Sequence, residues 1–340
     1  MKNKKRVLHI LASNIFSGAE NIACTIIKNL NNDYDMAYCS PKGSVEIALK
    51  ERNILYYGID KLSFKNIKKV VDDFKPDIIH AHDFKATYYA CFFSNKCKII
   101  SHIHKNDPQM KSISIKSIMY LFCSKKINTI FGVSDSIIDE YVYKNKIKDK
   151  FVTLYNYIDR ENVIHSSNEY MVDNKYDLFY FGRLNEEKNP FEFIEIVNRL
   201  GNSKVRCVMI GDGILKKDCE QLIKKYNLED NIDMVGFKSN PFPYIKNSKI
   251  GIMPSKYEGF GITAVESIIL GKPVLNSGVG GLKNIFKSNP EYICDNIDDY
   301  IKKIKNIDKY IKKSVNTDNY TDLSKWEKII EKAYGGEIDE

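Results

Sequence analysis

One stretch of the sequence decides the fold class: PSKYEGFGITAVES, residues 254–267. It joins a short apolar run, residues 250–253, to a second apolar segment that ends near Gly271, which is typical of a strand followed by a helix. Two glycines flank Phe260, so the backbone can come close to a ligand. Free N–H groups at the start of a helix favour an anion. The stretch therefore predicts a ligand site at the carboxyl end of a buried strand.

Two carboxylates in this stretch are candidate ligand contacts. Glu258 lies in the loop itself and is expected to point into a cleft; the plainer alternative is that it only complements the helix dipole. Glu266 is the only charged residue in 262–270, and a carboxylate on so apolar a helix needs partners. A vicinal diol, such as that of a ribose, could supply two hydrogen-bond donors.

A second strand-to-helix turn has the sequence FGRLNEEKNP, residues 181–190. Arg183 and Lys188 flank the turn near the carboxyl end of the predicted strand. Two cations there can hold a diphosphate, arginine by bidentate contact and lysine as a point charge. The alternative is a loop closed by salt bridges to Glu186 and Glu187.

Short apolar runs alternate with amphipathic segments along all 340 residues, which predicts α/β architecture with parallel sheets covered on both faces. A polar segment, 159–174, separates two such series. We therefore predict two doubly wound, Rossmann-like domains, residues 1–157 and 158–318, followed by an amphipathic helix in 319–340. Ligands of such sheets bind beyond the carboxyl ends of the strands, and the cleft between the domains is the expected site.

Composition and charge limit the class of protein. Hydrophobic residues make up 43% of the chain, which excludes collagen, coiled coil and bulk disorder. The eight cysteines are scattered without a CxxC pair, so we expect buried free thiols rather than zinc ligands or disulfides. Residues 1–155 hold 25 Lys+Arg against 15 Asp+Glu, a net +10, whereas the remainder is −2. The basic half predicts contact with an anionic membrane surface or a lipid phosphate.

The N-terminus and one internal segment bear on localisation. Lys2 to Arg6 precede an apolar run, 7–12, that is too short for a signal peptide and is interpreted as the first strand. No apolar stretch approaches the ~18 residues of a membrane-spanning helix. We expect a cytoplasmic protein, with the basic amphipathic segment 111–126 as a candidate contact with the inner face of the membrane.

Taken together, these motifs resemble those of the GT-B-fold glycosyltransferases of family 4. The resemblance begins with Glu258 and Glu266, which have seven residues between them. Tyr157 stands where the family usually has glycine in its linker. The other matching stretches are GRLNEEK (182–188), GKPV (271–274), FSGAEN (16–21), KPDIIHAH (75–82), GVSDS (132–136) and LYNYID (154–159).

The resemblance implies a retaining transferase that moves a sugar from a nucleotide diphosphate donor without a metal or other cofactor. It implies that Arg183 and Lys188 hold the diphosphate, that Glu258 contacts the donor sugar and that Glu266 contacts the ribose. UDP is the default carrier. The resemblance also implies that the C-terminal helix in 319–340 crosses back to the first domain. The remaining residues that it implies in donor binding are Gly18, Gly211, Phe237, Gly259, Phe260, Gly261 and Ile262.

Two HxH pairs, His80/His82 and His102/His104, each lie near the end of a predicted strand, with both members on one face. A metal site is one interpretation, but we predict none. In the family a histidine after the corresponding strand reaches the donor sugar, which implies this role for His104, with His102 as the alternative.

These observations favour a glycosyltransferase that extends a glycan or lipid-linked acceptor in surface polysaccharide synthesis. Another GT-B activity, such as a nucleotide-sugar epimerase or a phosphorylase, stays open, as does a non-catalytic relative that only binds or scaffolds. Nucleic acid is not an expected partner.

Overall fold

The computed structural model describes residues 4–201, 205–311 and 314–335. The chain divides into two compact units, one formed by Met1–Tyr157 with Asp322–Glu340 and the other by Ile158–Thr321. We call them the first and the second unit. Each is built on its own parallel sheet.

The secondary structure alternates between strands and helices in both units. The strands are β1 (Lys5–Ile10), β2 (Tyr34–Pro41), β3 (Tyr56–Ile59), β4 (Ile78–His82), β5 (Lys98–Ile103), β6 (Thr129–Gly132), β7 (Phe151–Thr153), β8 (Tyr176–Phe181), β9 (Cys207–Ile210), β10 (Ile232–Gly236), β11 (Ser248–Met253) and β12 (Val274–Asn276). The helices are α1 (Gly18–Leu30), α2 (Val45–Glu51), α3 (Phe64–Phe74), α4 (Asp83–Ala90), α5 (Ile115–Ser124), α6 (Ser136–Asp139), α7 (Arg160–Ser166), α8 (Pro190–Arg199), α9 (Lys216–Lys225), α10 (Phe242–Lys246), α11 (Ile262–Ile269), α12 (Gly281–Ile285), α13 (Ile297–Ile304), α14 (Asp308–Ile311), α15 (Asp318–Thr321) and α16 (Leu323–Tyr334).

The sheet of the first unit has the order β3-β2-β1-β4-β5-β6-β7, with all pairs parallel. Apolar runs in the sequence predicted β1, β4, β5 and β6 but gave no bounds for β2, β3 and β7. Neither β2 nor β3 offers the Val-rich run that marks a buried strand, and β7 has only three residues. Pairing with predicted neighbours, rather than local propensity, makes these segments strands.

Successive residues of the strands bury opposite faces of this sheet. Val7 packs on one face, against α1 and α16, while Leu8 packs on the other, against α3 and α4. Trp326 and Tyr334 of α16 are buried in the first of these cores. The C-terminal helix is therefore part of the first unit.

The sheet of the second unit has the order β10-β9-β8-β11-β12, also parallel throughout. The strand order reverses between β8 and β11, and such a switch point is where ligands of open parallel sheets bind. The loops that follow β8 and β11 are the two loops on which the sequence placed Arg183, Lys188 and Glu258.

All eight cysteines are buried and free, as the scattered pattern predicted. The polar segment 159–174, which had no helical pattern of its own, contains α7, whose N-cap Asp159 accepts a hydrogen bond from the Asn162 backbone N–H (3.0 Å). The cap, and the contacts of α7 with α10 and α11, stabilise this helix.

Candidate active site

An ion pair joins the two loops at the switch point of the second unit. The Lys188 ammonium contacts the Glu258 carboxylate, and the two side chains are only 20% and 10% exposed. The Lys256 and Tyr257 backbone N–H groups both donate to the Glu187 carbonyl (2.9 and 3.3 Å). The loops are thus fastened to each other by backbone as well as by side chains.

The loop after β8 is fixed from below. The Tyr180 hydroxyl donates to the carbonyls of Arg183 (2.9 Å) and Lys188 (3.4 Å), and the Leu184 side chain is fully buried. The Lys188 backbone N–H donates to the Asn185 side chain (3.1 Å). These contacts position the Lys188 side chain before any ligand arrives, which is the condition for electrostatic stabilisation of a charge that develops during a reaction.

Arg183 differs from Lys188 in its exposure. Its side chain is 66% exposed, and its guanidinium pairs with Glu187 at 3.3 Å. So exposed a pair contributes little to stability. An anionic ligand can therefore replace Glu187 as the partner of the Arg183 guanidinium with little loss of free energy. The salt-bridged loop and the phosphate-binding loop are not exclusive alternatives here.

The loop that carries Glu258 turns into α11 through Gly261, whose φ is +102°, a conformation that other residues rarely adopt. Gly259, Gly261 and the first helical residue, Ile262, present backbone at the start of the helix. The Phe260 ring lies between these backbone positions but is 3% exposed and packs against Tyr320 at 5.3 Å between centroids. Because the ring is part of the core, only the Phe260 backbone is available to a donor.

Glu266 is half-buried on α11, and burial raises the pKa of its carboxyl to about 7. Among the residues that the structure describes, its carboxyl group has neither a hydrogen-bond partner nor an ion pair. A half-buried carboxyl without a protein partner keeps its hydrogen-bonding capacity for a ligand. A ligand with two adjacent hydroxyls would satisfy it, as the sequence analysis expected of a ribose.

A glycine pair that sequence analysis missed holds the Glu258 loop. Gly280 has a φ of +54°, and a Cβ there would lie 1.7 Å from the Glu258 carbonyl oxygen; a Cβ on Gly281 would lie 2.3 Å from that of Phe260. The Gly281 N–H donates to the Glu258 carbonyl (3.2 Å). The signal available in the sequence was three glycines within 278–281, directly after a strand.

Gly211 and Phe237 follow the next two strands of the same sheet, β9 and β10. Gly211 has a φ of +144°, and a Cβ there would lie 1.9 Å from the Gly182 carbonyl oxygen. Its N–H donates to the Gly236 carbonyl at 2.9 Å. Phe237 comes next in the chain, and its side chain is 75% exposed. Gly211 therefore packs against the backbone at the start of the Arg183 loop. The exposed Phe237 ring can contact a ligand.

In the first unit, Gly18 opens α1. A Cβ on Gly18 would meet no atom within 4 Å, so space does not require glycine here. The preceding Ser17 donates from its backbone N–H (3.1 Å) and its hydroxyl (2.5 Å) to Glu20, a buried carboxylate. The start of α1 is thus ordered by the capping residues that the sequence indicated, and the Gly18 N–H lies at the positive end of the helix.

His104 and His102 differ in accessibility. His102 is 1% exposed on β5, while His104, one residue past the end of that strand, is half-buried. Burial lowers the pKa of both imidazoles, and the Asp83 charge opposes this effect at His104. Both rings are therefore neutral at pH 7, and His104 is the one that a ligand can reach. His102 was the alternative in the sequence analysis.

Comparison with known proteins identifies the family. The model described as "Glycosyl transferases group 1" matches residues 164–326, and the model described as "Glycosyltransferase Family 4" matches residues 16–162. Together they span most of the chain. The chain belongs to glycosyltransferase family 4. It is a glycosyltransferase, and the motifs quoted from its sequence indicated this correctly.

Individual relatives of this glycosyltransferase agree with that assignment. It is 24% identical over 323 residues to the "O-antigen biosynthesis glycosyltransferase WclY" of Escherichia coli, covering 88% of this chain and 89% of the relative. It is 33% identical over 115 residues to the "N-acetylgalactosamine-N,N'-diacetylbacillosaminyl-diphospho-undecaprenol 4-alpha-N-acetylgalactosaminyltransferase" of Campylobacter jejuni, 34% and 31% of the two chains.

Among solved structures, the transferase is similar to Alr3699/HepE of Anabaena in complex with UDP. The TM-score is 0.82 at 17% sequence identity, over 97% of this chain and 99% of the other. With the two parallel sheets, this likeness shows that the transferase has the GT-B fold, as the sequence predicted.

An apolar pocket opens beside the carboxyl end of the transferase's first sheet. Its volume is about 180 Å³. Ile103 and Lys105, the neighbours of His104, both line it, and Lys85 and Lys105 are exposed lysines on its wall. Sequence analysis gave no sign of this pocket because its walls come from β4 to β7 and the segments between them. The apolar wall includes Phe84, Met110, Tyr120, Ile130, Ile138 and Tyr141.

The basic segment 111–126 of the transferase contains α5, which starts at Ile115 after the Ser114 cap. Tyr120 and Cys123 face the core, but several large apolar side chains stay in solvent. These are Ile113 (73% exposed), Ile115 (81%), Ile118 (36%) and Phe122 (62%). We call them the α5 apolar face. None of the helices within 4–201, 205–311 and 314–335 is long and apolar enough to cross a bilayer.

Proposed function

We propose that this glycosyltransferase moves a sugar from a nucleoside diphosphate donor, UDP-sugar by default, to a saccharide acceptor during synthesis of a surface polysaccharide, with retention of configuration. The name of the E. coli relative, which refers to O-antigen biosynthesis, supports the pathway class. The UDP in the Anabaena structure supports the choice of carrier.

The observation that carries the proposal is the buried contact between Lys188 and Glu258 at the switch point of the second unit. In the donor complex, the Lys188 ammonium contacts the diphosphate and Glu258 accepts hydrogen bonds from sugar hydroxyls. As the bond between the sugar and the diphosphate of the donor breaks, negative charge develops on the leaving diphosphate. A cation already fixed beside it stabilises the transition state more than the ground state.

The same cations make a metal at the diphosphate unnecessary in this proposal. Lys188 supplies a fixed charge, and the exposed Arg183 supplies a planar fork that matches phosphate oxygens. We expect transfer to continue unchanged in excess EDTA. A transferase that stops in EDTA and recovers with Mg²⁺ or Mn²⁺ would contradict this part of the proposal.

The acceptor in this proposal is lipid-linked and approaches the first unit. The diphospho-undecaprenol acceptor in the name of the Campylobacter relative supports this class. In the structure it is supported by the α5 apolar face among Lys111, Lys125 and Lys126, a combination that suits an anionic membrane surface. The apolar pocket beside His104 lies on the same unit. Both features are apolar surfaces of the first unit. They suit a lipid-linked acceptor better than a water-soluble one.

A thermal-shift screen of the purified chain against UDP-, GDP- and CDP-sugars tests the donor. We expect one nucleotide class to raise the unfolding temperature and then to support sugar transfer to a lipid-linked acceptor. Isomerised donor without acceptor would instead identify an epimerase. Binding without hydrolysis or transfer would identify a non-catalytic relative, and no binding of any nucleotide would overturn the proposal.

A further inference from the structure

Five of the six histidines of the chain meet in one cluster in the first unit. Neighbouring strands bring them together, because His9 pairs with His80 in register and His82 pairs with His102. Alternation along each strand puts them on the same face. We call the five residues the histidine cluster: His9 on β1, His80 and His82 on β4, His102 on β5, and His104 just beyond β5.

Hydrogen bonds divide the histidine cluster into two rows. In the first row, His9 Nδ1 lies 3.0 Å from His82 Nε2, and His82 Nδ1 lies 2.8 Å from His104 Nε2. In the second row, His80 Nε2 lies 3.3 Å from His102 Nδ1, and His80 Nδ1 lies 2.8 Å from the Tyr334 hydroxyl. His82 therefore uses both of its nitrogens on other imidazoles, and one of these is His104.

A neutral imidazole has one N–H donor and one acceptor nitrogen, so the direction of one bond in the first row fixes the direction of the next. If His9 Nδ1 carries the hydrogen, it donates to His82, and His82 Nδ1 donates to His104 Nε2. The hydrogen of His104 is then on Nδ1. In the opposite direction, His104 donates from Nε2 and the row ends in an N–H at His9 Nε2.

The His9 end of the row favours the first direction. His9 Nε2 is buried without a partner among the residues that the structure describes, and an N–H placed there would lose its hydrogen bond to water. At the other end, the Asp83 carboxylate accepts from the His104 backbone N–H (3.0 Å) and its charge acts on the His104 ring. The His104 ring carries one hydrogen in either direction, so the Asp83 charge does not choose between its two nitrogens and the His9 end decides the direction.

A metal ion is a weaker account of the same contacts. Two triplets, one with His9 and one with His104, share His82 and bring their ring nitrogens within 4.8 Å. Two imidazoles on a tetrahedral zinc, with Zn–N bonds of 2.0–2.1 Å, would have their nitrogens about 3.3 Å apart. The 2.8 Å between His82 and His104 is shorter and fits a hydrogen bond.

We propose that His82, backed by His9, is a positioning residue that holds His104 as the neutral Nδ1–H tautomer. The inference rests on the proposed function, together with the contact to the donor sugar that the family resemblance implies for His104. Held in this way, His104 offers a hydrogen-bond donor from Nδ1 at a fixed orientation. Without His82, the ring could rotate and carry its hydrogen on either nitrogen.

The tautomer can be measured directly by ¹⁵N NMR of the histidine-labelled chain at pH 7. A His104→Gln variant assigns the signals, and the exposed His165 of the second unit is an internal reference. We expect His104 Nδ1 to be protonated and Nε2 to be the hydrogen-bonded acceptor. Protonation of His104 at Nε2 in the wild type would overturn the proposal, and this measurement needs no substitution within the row.

Two variants of His82 separate positioning from plain packing. In His82→Asn, the side-chain amide N–H₂ can take the place of the Nδ1–H donor, whereas His82→Leu cannot donate. We expect His82→Leu to give mixed His104 tautomers and a 10- to 100-fold lower kcat with a donor KM within about twofold. His82→Asn should restore the Nδ1–H tautomer and most of the rate. Equal loss in both variants, with the tautomer unchanged, would show a structural role only.

Failure of the proposed function is distinguishable from failure of this inference. If the wild type shows the Nδ1–H tautomer but transfers no sugar, the function fails and the positioning of His104 stands. If sugar is transferred but His104 is protonated on Nε2, the positioning fails alone. Metal analysis of untagged protein closes the remaining alternative: one equivalent of zinc, copper or nickel, with histidine signals that change in EDTA, would overturn the hydrogen-bonded row.

Discussion

The two sheets of this transferase carry opposite chemistry at their carboxyl ends. In the first unit the end is occupied by neutral, buried imidazoles that bond to one another. In the second unit it carries an ion pair between Lys188 and Glu258, together with Glu266, whose carboxyl has no partner among the described residues. The difference teaches that a shared sheet topology does not fix the site. One edge holds a hydrogen-bonding surface without net charge, and the other holds charges that suit a diphosphate.

Loss of the lysine at the charged edge should have the largest effect. We expect Lys188→Ala to lower kcat by at least 10²- to 10³-fold, because a well-placed group that stabilises developing charge contributes about 3–4 kcal/mol. Steady-state kinetics with the identified donor measure this, and circular dichroism checks the fold. Lys256→Ala is the matched control, since Lys256 pairs with Glu186 between the same two loops but is 51% exposed. Near-normal turnover of Lys188→Ala would remove this residue from the mechanism.

A low pH should lower the free energy of unfolding of the first unit, which holds the histidine cluster. Burial lowers the pKa of His9 to about 3 and those of His80, His82 and His102 well below 6.5. Below pH 6.5 these imidazoles bind protons in the unfolded chain but not in the folded chain. The free energy of unfolding is therefore highest above pH 6.5 and decreases as the pH falls toward 3. His9 alone contributes at most roughly 5 kcal/mol to this change in the free energy of unfolding.

The fluorescence of Trp326 measures this effect, because it is the one tryptophan of the chain and is buried in the first unit. Urea unfolding at a series of pH values should show a falling free energy of unfolding between pH 6.5 and pH 4. His9→Gln should flatten the dependence, and the exposed His165→Gln should leave it unchanged. A pH-independent Trp326 transition across this range would show that the imidazoles are not held neutral.

Glu266 should give the charged edge the opposite pH dependence. Its folded pKa is about 7 and its ordinary value 4.5, so between these values the folded chain holds a proton that the unfolded chain has lost. Stability relative to Glu266→Gln should therefore fall by roughly 1–3 kcal/mol as the pH rises from 4.5 to 7, and stay level above it.

Differential scanning calorimetry of the two proteins measures this difference. Nucleotide affinity, by titration calorimetry, should fall about tenfold or more in Glu266→Gln, because a charged acceptor of two hydroxyls becomes a neutral amide. Glu291→Gln, in the same unit but outside the site, is the control. Unchanged affinity would exclude the ribose contact, whatever the calorimetry shows.

The smallest effect concerns the membrane, which the proposal assigns to the first unit only. Sedimentation with vesicles that contain anionic lipid should recover the wild type, and Ile115→Ser with Phe122→Ser should reduce recovery severalfold. Ile47→Ser changes an equally exposed isoleucine of the same unit outside the α5 apolar face and should bind normally. Equal recovery with neutral vesicles would exclude the electrostatic part of the association.

More of the charged site of the second unit than of the histidine cluster of the first unit could be predicted from the sequence. Arg183, Lys188 and Glu258 lie in loops directly after apolar strands. Their residue types and their spacing in the sequence are enough to predict a site for an anionic ligand. The histidine cluster was seen only as two separate HxH pairs. His9, 71 residues before His80, showed no link to them until the register of β1 and β4 joined the two.

By itself, the sequence determined two parallel-sheet units, the family and the loops that carry the charges. These follow from short-range patterns: apolar strands, helix caps and glycines at strand ends. Only the tertiary structure decided that β2, β3 and β7 are strands, that Phe260 belongs to the core and that Gly280 supports Glu258. It alone brought five histidines into one cluster. Contacts between residues distant in the chain depend on strand order and register, and a local pattern does not contain them.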